Sequence, residues 1–422
     1  MDTAAETLQS RDLGDITWLE HRLRDSSQGM CRDVLQWLLA LPGLRVPEDS
    51  SKPGERRVTN QTRTVHTLFG DINVARNYYH RPADGSGRFP LDDALGLIDG
   101  YTPGLAAPLG RCAAEHPFER AAESFQAYTG LKIDGRQFPR LAKYIGPIAE
   151  RFLRTILPSK EETPPRVYVA TDGTGAPLRH EELKGREGRQ PDGTAQTHEI
   201  KVGAIFTQHP VTGMKPWRDL DSTTYVATTQ RVEPFGKMMR AEFFRRFSGT
   251  PHEVVYLGDG APWNWELQRV CFPMAIGIVD FYHAAEHVAK VVDLIEDHNT
   301  HSGRKRRRRW VKLLLRGRLD VFLAQARSSF PIAKKEAGEK ALAYFEKNRE
   351  RMRYGEFREK GYFIGSGVVE AACKTIVAQR FKGSGMHWSE HGLSHILAIR
   401  TAILSRRYQD FWNSRHLLRP AA

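Results

Sequence analysis

Apolar residues along this chain change their spacing several times, and each change marks a new segment. Up to about residue 45, Trp18, Leu19, Leu23, Val34, Leu35, Trp37, Leu38 and Leu39 recur at helical intervals and end at Leu41-Pro42-Gly43. That predicts an N-terminal helical arm. A polar linker over 49–57 follows. Alternation then takes over, with Arg63 to Leu68, a turn at Phe69-Gly70-Asp71, and Ile72 to Tyr79 with Ile72, Val74 and Tyr78 on one side. This predicts a β-hairpin, and His80 to Pro90 reads as a loop.

Residues 105–146 return to helical spacing. Phe118, Ala121, Ala122, Phe125 and Tyr128 form one apolar face, Gly130 fits a turn, and Asp134 with Gln137 three residues on fits a capping box. Phe138, Leu141 and Ile145 would face inward, leaving Arg136, Gln137, Arg140 and Lys143 outward. Such side chains suit phosphates and base edges. The spacing fits a helix-turn-helix and equally a plain helical hairpin, and Pro139 sits awkwardly just inside the second helix.

From 161 the pattern is that of strands. Pro164-Pro165 breaks the preceding helix, and Val167 to Thr171 is a β-branched run ending in a predicted turn, Asp172-Gly-Thr-Gly. A charged loop spans 178–196. Strands are then expected over His198–Thr207, Ser222–Thr229, Glu253–Gly258 and Ala275–Phe281, with helices over Pro234–Phe247 and Trp263–Arg269. Three strands followed by alternating helix and strand predict a mixed α/β sheet. Helical spacing resumes at Ala284 for about 70 residues. Glycines at 361, 365 and 367 lead into a helix over 368–381, and a last helix over 389–407 points Leu393, Ile396, Leu397 and Leu404 inward. The segments are thus an arm (1–50), a hairpin region (51–100), a helix-turn-helix-like region (101–160), a sheet domain (161–283), a helical insertion (284–360) and a C-terminal helical part (361–422).

Composition narrows the class. The chain has 422 residues, 63 Lys and Arg against 50 Asp and Glu, and a net charge of +13. That excess points to a polyanionic partner, with nucleic acid first in line. The basic residues concentrate between Arg304 and Arg318, which contain Arg304, Lys305, Arg306, Arg307, Arg308 and Arg309 in an unbroken run and no acid. A run of this kind is either a solvated surface or a phosphate-binding one. Four cysteines without CxxC spacing exclude a disulfide framework or a cysteine zinc site as a reading. The expectation is a cytoplasmic, nucleoid-associated protein without a membrane segment.

Three acids stand out by position: Asp172 and Asp259 after strands, each in an Asp-Gly pair, and Glu370 one turn into a glycine-started helix. Asp-Gly is ordinary turn chemistry and Glu370 has Lys374 four residues on. Together, though, three hard oxygen ligands suit Mg²⁺ or Mn²⁺ and two-metal phosphoryl chemistry.

The segments TLFGDINVARNYYH, FPLDDALGL, YTPGLAAPLG, TDGTGAPL, HEIKVGAIFTQ, LGDGAPWNW, IVDFYHAAEH and GSGVVEAACKTIVAQRFKGSGMHW resemble a bacterial insertion-sequence transposase of the DDE type, of the ISKra group, from about 64 to 407. The resemblance implies an RNase H-like mixed sheet with a helical insertion, preceded by a small hairpin and a helix-turn-helix-like region. It implies Asp172, Asp259 and Glu370 as metal-binding catalytic acids, with Asp280 and His283 as an Asp-x-x-His element beside them. For His283, packing at a strand end is the competing reading. Lys382, His387 and Trp388 join the expected DNA contacts. The implied partners are double-stranded DNA, as terminal inverted repeats and target, and further copies of the chain on that DNA. The implied activity is metal-dependent strand cleavage and strand transfer, with a catalytically silent DNA-binding regulator as the alternative. Relatives often carry a CPxC zinc knuckle after YYH. Here Arg81-Pro82-Ala83-Asp84 stands in its place, so no zinc is expected there.

Overall fold

The computed structural model describes residues 16–41, 51–155, 163–183, 197–209, 217–247, 249 and 251–415. The outer parts of the N-terminal arm (1–15 and 42–50) and most of the charged loop (184–196) lie outside the described residues. The chain divides into two compact units, one up to Ile145 and one from Gly146 onward. Among the described residues no helix is long and apolar enough to cross a membrane.

The first unit is built on a hairpin. Strands β1 (Arg56–Thr67) and β2 (Gly70–Arg81) pair antiparallel, and β3 (Ser86–Arg88) adds to β2. The hairpin is longer than its alternation predicts and takes in the end of the polar linker. The loop after it holds β3, because Asp84 accepts from the Ser86 backbone N–H at 2.9 Å and turns the chain back. Gly70 has φ +107°, which the tight connection requires and a β-carbon resists. Helix α1 (Thr17–Leu39) lies on this sheet: Leu35 and Leu39 pack against Val65, Ile72 and Val74. After the short α2 (Pro90–Ala94) come α3 (Pro103–Glu115), α4 (Phe118–Thr129) and α5 (Gln137–Arg154), the last crossing into the second unit.

The second unit is organised by a five-stranded sheet of β4 (Arg166–Pro177), β5 (Thr197–Thr207), β6 (Thr224–Thr228), β7 (Glu253–Gly258) and β8 (Ile276–Val279), in the order β6-β5-β4-β7-β8. The β4/β5 and β5/β6 pairs are antiparallel, whereas β4/β7 and β7/β8 are parallel. A mixed α/β sheet is what the spacing predicts. One expectation fails: Asp172-Gly-Thr-Gly is strand, not turn. All of β4 pairs with β5, through Pro177 opposite Thr197. The glycines serve close packing rather than bending, since a β-carbon on Gly175 would lie 2.3 Å from the Thr197 hydroxyl and one on Gly173 would lie 3.0 Å from the Glu199 carboxylate.

Helices α6 (Val232–Arg246) and α7 (Pro262–Cys271) connect the later strands. The insertion contains α8 (Phe281–Asp293), α9 (His301–Leu315), α10 (Leu319–Ser329), α11 (Lys335–Lys347) and α12 (Tyr354–Glu359). Next, α13 begins as Gly367–Ala372, widens into a π-helical stretch over Cys373–Ala378, and closes with Gln379–Phe381. Helices α14 (Glu390–Leu404) and α15 (Tyr408–Ser414) follow, with Leu393, Ile396 and Leu397 buried as their spacing predicts.

Candidate active site and basic surfaces

Register brings two of the acids side by side. Ala170 of β4 lies opposite Leu257 of β7 in a parallel pair. Two residues further along each chain stand Asp172, still within β4, and Asp259, just past the end of β7, near enough for the Asp259 charge to act on Asp172. Asp172 is held within β4, and Asp259 follows the end of β7 as expected. Glu370 sits on the exposed side of α13 one turn after its start, and Ser366 Oγ donates to its Oε1 at 3.3 Å.

Each aspartate is fixed by identifiable partners. Asp172 accepts from the Gly173 backbone N–H at 2.7 Å and from the Cys373 thiol at 3.4 Å. Burial pushes the Asp172 carboxyl up from its ordinary pKa, these two hydrogen bonds oppose that, and the charges of Asp259 and Glu370 push it up further. Burial and the neighbouring Asp172 charge push the Cys373 thiol up too, so it stays a neutral donor. Asp259 ends a buried relay. The Tyr256 hydroxyl lies 2.6 Å from Thr171 Oγ1, Thr171 donates to Asn264 Oδ1 at 2.6 Å, and Asn264 Nδ2 donates to Asp259 Oδ1 at 2.6 Å. Thr171 has one hydroxyl proton, already given to Asn264, so Tyr256 is the donor at the head of the relay. The Ala261 backbone N–H adds a second contact to the same oxygen at 2.9 Å.

The insertion forms one wall. Tyr344 of α11 donates to the Asp259 carbonyl at 3.3 Å, and His287 of α8 stacks on its ring at 3.7 Å and 7°. Burial, with smaller contributions from Lys290 and His283, depresses His287 to a pKa of about 4, so it is neutral near pH 7. Cys373, Asn264, Tyr344 and His287 carry no sequence signal of their own, except that His287 repeats His283 one turn on.

Asp280 is 1 % exposed, its Oδ1 accepts from the His283 backbone N–H at 2.6 Å, and its Oδ2 accepts from the Ser366 backbone N–H. Asp280 thus caps α8 and anchors the start of α13. His283 is half-buried on α8, its ring 6.1 Å from that of His287.

Hard carboxylate oxygens whose charges act on one another, as those of Asp259 and Glu370 do on Asp172, fit a divalent cation in chemistry. Among the described residues, however, the set of ligand atoms lying within 4.8 Å of one another is Asp293, Asp297 and His298, in the exposed α8–α9 connection; the three acids are spread wider.

The expected basic residues divide. In α9, Lys305, Arg308, Arg309, Lys312 and Arg316 are exposed and, with Leu313, line an open hollow of about 320 Å³. Arg306 instead pairs with Glu296, bonds Ser329 Oγ and stacks on Trp310, while Arg304 donates to the Asn299 carbonyl at 2.6 Å. Arg307 is half-buried. Arg136 just before α5, and Arg140 and Lys143 on it, are exposed as expected, with Arg136 paired to Asp134 and Arg140 to Asp99. The capping box is not formed: Asp134 accepts from Arg136 N, and Gln137 Oε1 accepts from the Tyr101 hydroxyl. Because α5 starts at Gln137, Pro139 falls among the first residues, whose N–H groups have no helical partner anyway. Tyr128 is 86 % exposed rather than inward. Lys382 is exposed and reaches Thr174 Oγ1, two residues along β4 from Asp172, at 2.8 Å. His387 is also exposed, with its Nδ1 3.3 Å from the Leu178 carbonyl. Trp388 is buried, donates its indole N–H to the Phe381 carbonyl at 3.1 Å and packs under Arg380.

No protein-family model matches the chain, and no curated protein sequence matches it.

Proposed function

We propose that this chain is a DDE-type DNA transposase that cuts the ends of its element and joins the freed 3′-hydroxyl to target DNA. The observation that carries the reading is that Asp172 in β4, Asp259 just past the end of the adjacent parallel β7, and Glu370 lie close enough for the charges of the latter two to act on Asp172. The strand order, with three antiparallel strands and two more parallel to the first, supports an RNase H-like sheet. Mg²⁺ or Mn²⁺ bound at Asp172, Asp259 and Glu370 would activate the attacking oxygen and neutralise the leaving one. The chain's own groups prepare that site. The Asn264 relay fixes Asp259, Cys373 orients Asp172, and Asp280 holds the helix that presents Glu370. Sequence-independent contacts to the DNA backbone fall to the exposed face of α9 and to Lys382, and Arg136, Arg140 and Lys143 are the candidates for reading element ends.

The test uses a supercoiled plasmid carrying the gene with its flanking DNA, incubated with the purified chain in Mg²⁺. Nicks exposing 3′-hydroxyls are expected. Asp172→Asn, Asp259→Asn and Glu370→Gln should each reduce nicking at least about 100-fold, on the scale of losing a principal electrostatic group, while DNA binding persists. Binding without cleavage by the unaltered chain would refute the enzyme reading and favour a regulator.

A further inference from the structure

Helix α1 has two apolar faces, and its own unit covers one of them. The covered face carries Leu35 and Leu39, seated on the hairpin, and Gln28, whose amide donates to the Thr129 carbonyl at 2.7 Å. Across the helix, Leu23, Met30, Val34 and Trp37, together with the flanking Ile16 and Leu41, are each between 37 and 65 % exposed. Their spacing is regular. Ile16, Leu23, Met30 and Trp37 recur every seven residues, and Val34 and Leu41 fall four residues after the last two of these. From Met30 to Leu41 the steps alternate four and three, the pattern of a helix that winds on another helix, and Glu20 and Ser27 take the corresponding positions in the first half. A helix face bound to water has no reason to keep it.

We infer that α1 is a dimerisation helix, and that its partner is α1 of a second copy of this chain, running antiparallel. The area fits. By their exposure, the six side chains offer on the order of 600 Å² per copy, so a pair buries about 1,200 Å², the lower bound for a stable interface. The layers favour the antiparallel direction. That direction sets Trp37 against the stem of Glu20, Met30 against Ser27, Leu23 against Val34 and Ile16 against Leu41, each large side chain meeting a smaller or equal one. A parallel pair would set Glu20 against Glu20 and Trp37 against Trp37, a like-charge contact and a clash of volumes. Self-pairing of this kind has two-fold symmetry and closes on itself. The inference does not depend on the proposed catalysis, which can fail while the dimer stands.

The experiment is the mass of the full chain in solution. The unaltered chain should sediment as a dimer, and Met30→Glu with Trp37→Glu should halve the mass while leaving helicity unchanged, because both side chains are more than 60 % exposed. A monomeric unaltered chain, or a variant that remains dimeric, overturns the inference. A loss of helicity in the variant also overturns it, since the seam would then be covered by the chain's own residues. In a Cys31→Ser background, Leu23→Cys combined with Val34→Cys should oxidise to a cross-linked dimer. Cross-linking by Trp37→Cys alone would refute the antiparallel direction, which sets the two Trp37 positions about 25 Å apart along the helices.

Discussion

The free cations of α9 allow a prediction with a number attached. Five of them, Lys305, Arg308, Arg309, Lys312 and Arg316, follow one another at helical intervals on one exposed face, whereas Arg304 donates to the Asn299 carbonyl and Arg306 pairs with Glu296. The row covers about 16 Å of helix axis at 1.5 Å per residue. It is rigid: Thr300 caps the helix start by accepting from Gly303 N, and Trp310 and Leu314 are buried beneath it. Each phosphate neutralised contributes about 0.9 to the slope of log K against log salt. Replacing all five by Gln should therefore flatten the slope by up to about 4.5. Between 50 and 200 mM salt, where the unaltered chain loses affinity steeply, the variant should lose about 500-fold less. The assay is fluorescence anisotropy with a labelled duplex of arbitrary sequence across that salt range. Arg304→Gln with Arg306→Gln is the control and should leave the slope unchanged. An unaltered slope in the five-fold variant, or an equal change in the control, would refute the assignment of this face to DNA.

Three further outcomes can be checked. Asp280→Asn leaves a buried backbone N–H without its acceptor, which costs about 1–3 kcal/mol; chemical denaturation should register that, and cleavage should fall more than DNA binding because Ser366 is released. Gly260 has φ +94°, and a β-carbon there would lie 2.7 Å from the Tyr344 hydroxyl, so Gly260→Ala should destabilise the chain by at least about 1 kcal/mol and quench cleavage, with unchanged melting and activity as the contrary result. His287 titrates near 6.5 when unfolded and at about 4 when folded, so the unfolded chain binds the extra proton. Stability is thus complete above pH 6.5 and lost as pH falls toward 4, and His287→Gln should flatten melting temperature against pH in that window; superimposable profiles would refute it.

What could be read beforehand follows a physical division. Local spacing gave the hairpin, the strand runs of the second unit and the helices of the insertion, because periodicity reports which side of an element is dry. It misread Asp172-Gly-Thr-Gly because Asp-Gly is equally good turn chemistry, and only the nearness of Glu199 and Thr197 on another strand explains glycine there. The burial of Trp388 depends on Phe381 and Arg380 folding over it, which local spacing does not show. Asp280 was placed at the site on resemblance, and its engagement with Ser366 joins residues 86 positions apart. Asn264, Cys373 and Tyr344 act through contacts of that same long range, which a linear pattern does not record.

That distance between Asp280 and Ser366 has a further consequence. The two ends of the insertion meet at its base, where Phe281 N also donates to the Ile364 carbonyl at 2.9 Å and the Tyr354 hydroxyl to the Val279 carbonyl at 3.0 Å. The insertion is therefore a closed excursion that leaves the sheet and returns to the point of departure. Bringing such ends together costs about 4 kcal/mol of chain entropy for a flexible loop of this length, and the cost rises only logarithmically as residues are added. Its tip can lengthen, shorten or exchange without shifting Glu370, provided the base clasp and Tyr344 are retained. The geometry around Asp172, Asp259 and Glu370 and the exposed basic face of α9 can thus change independently of one another.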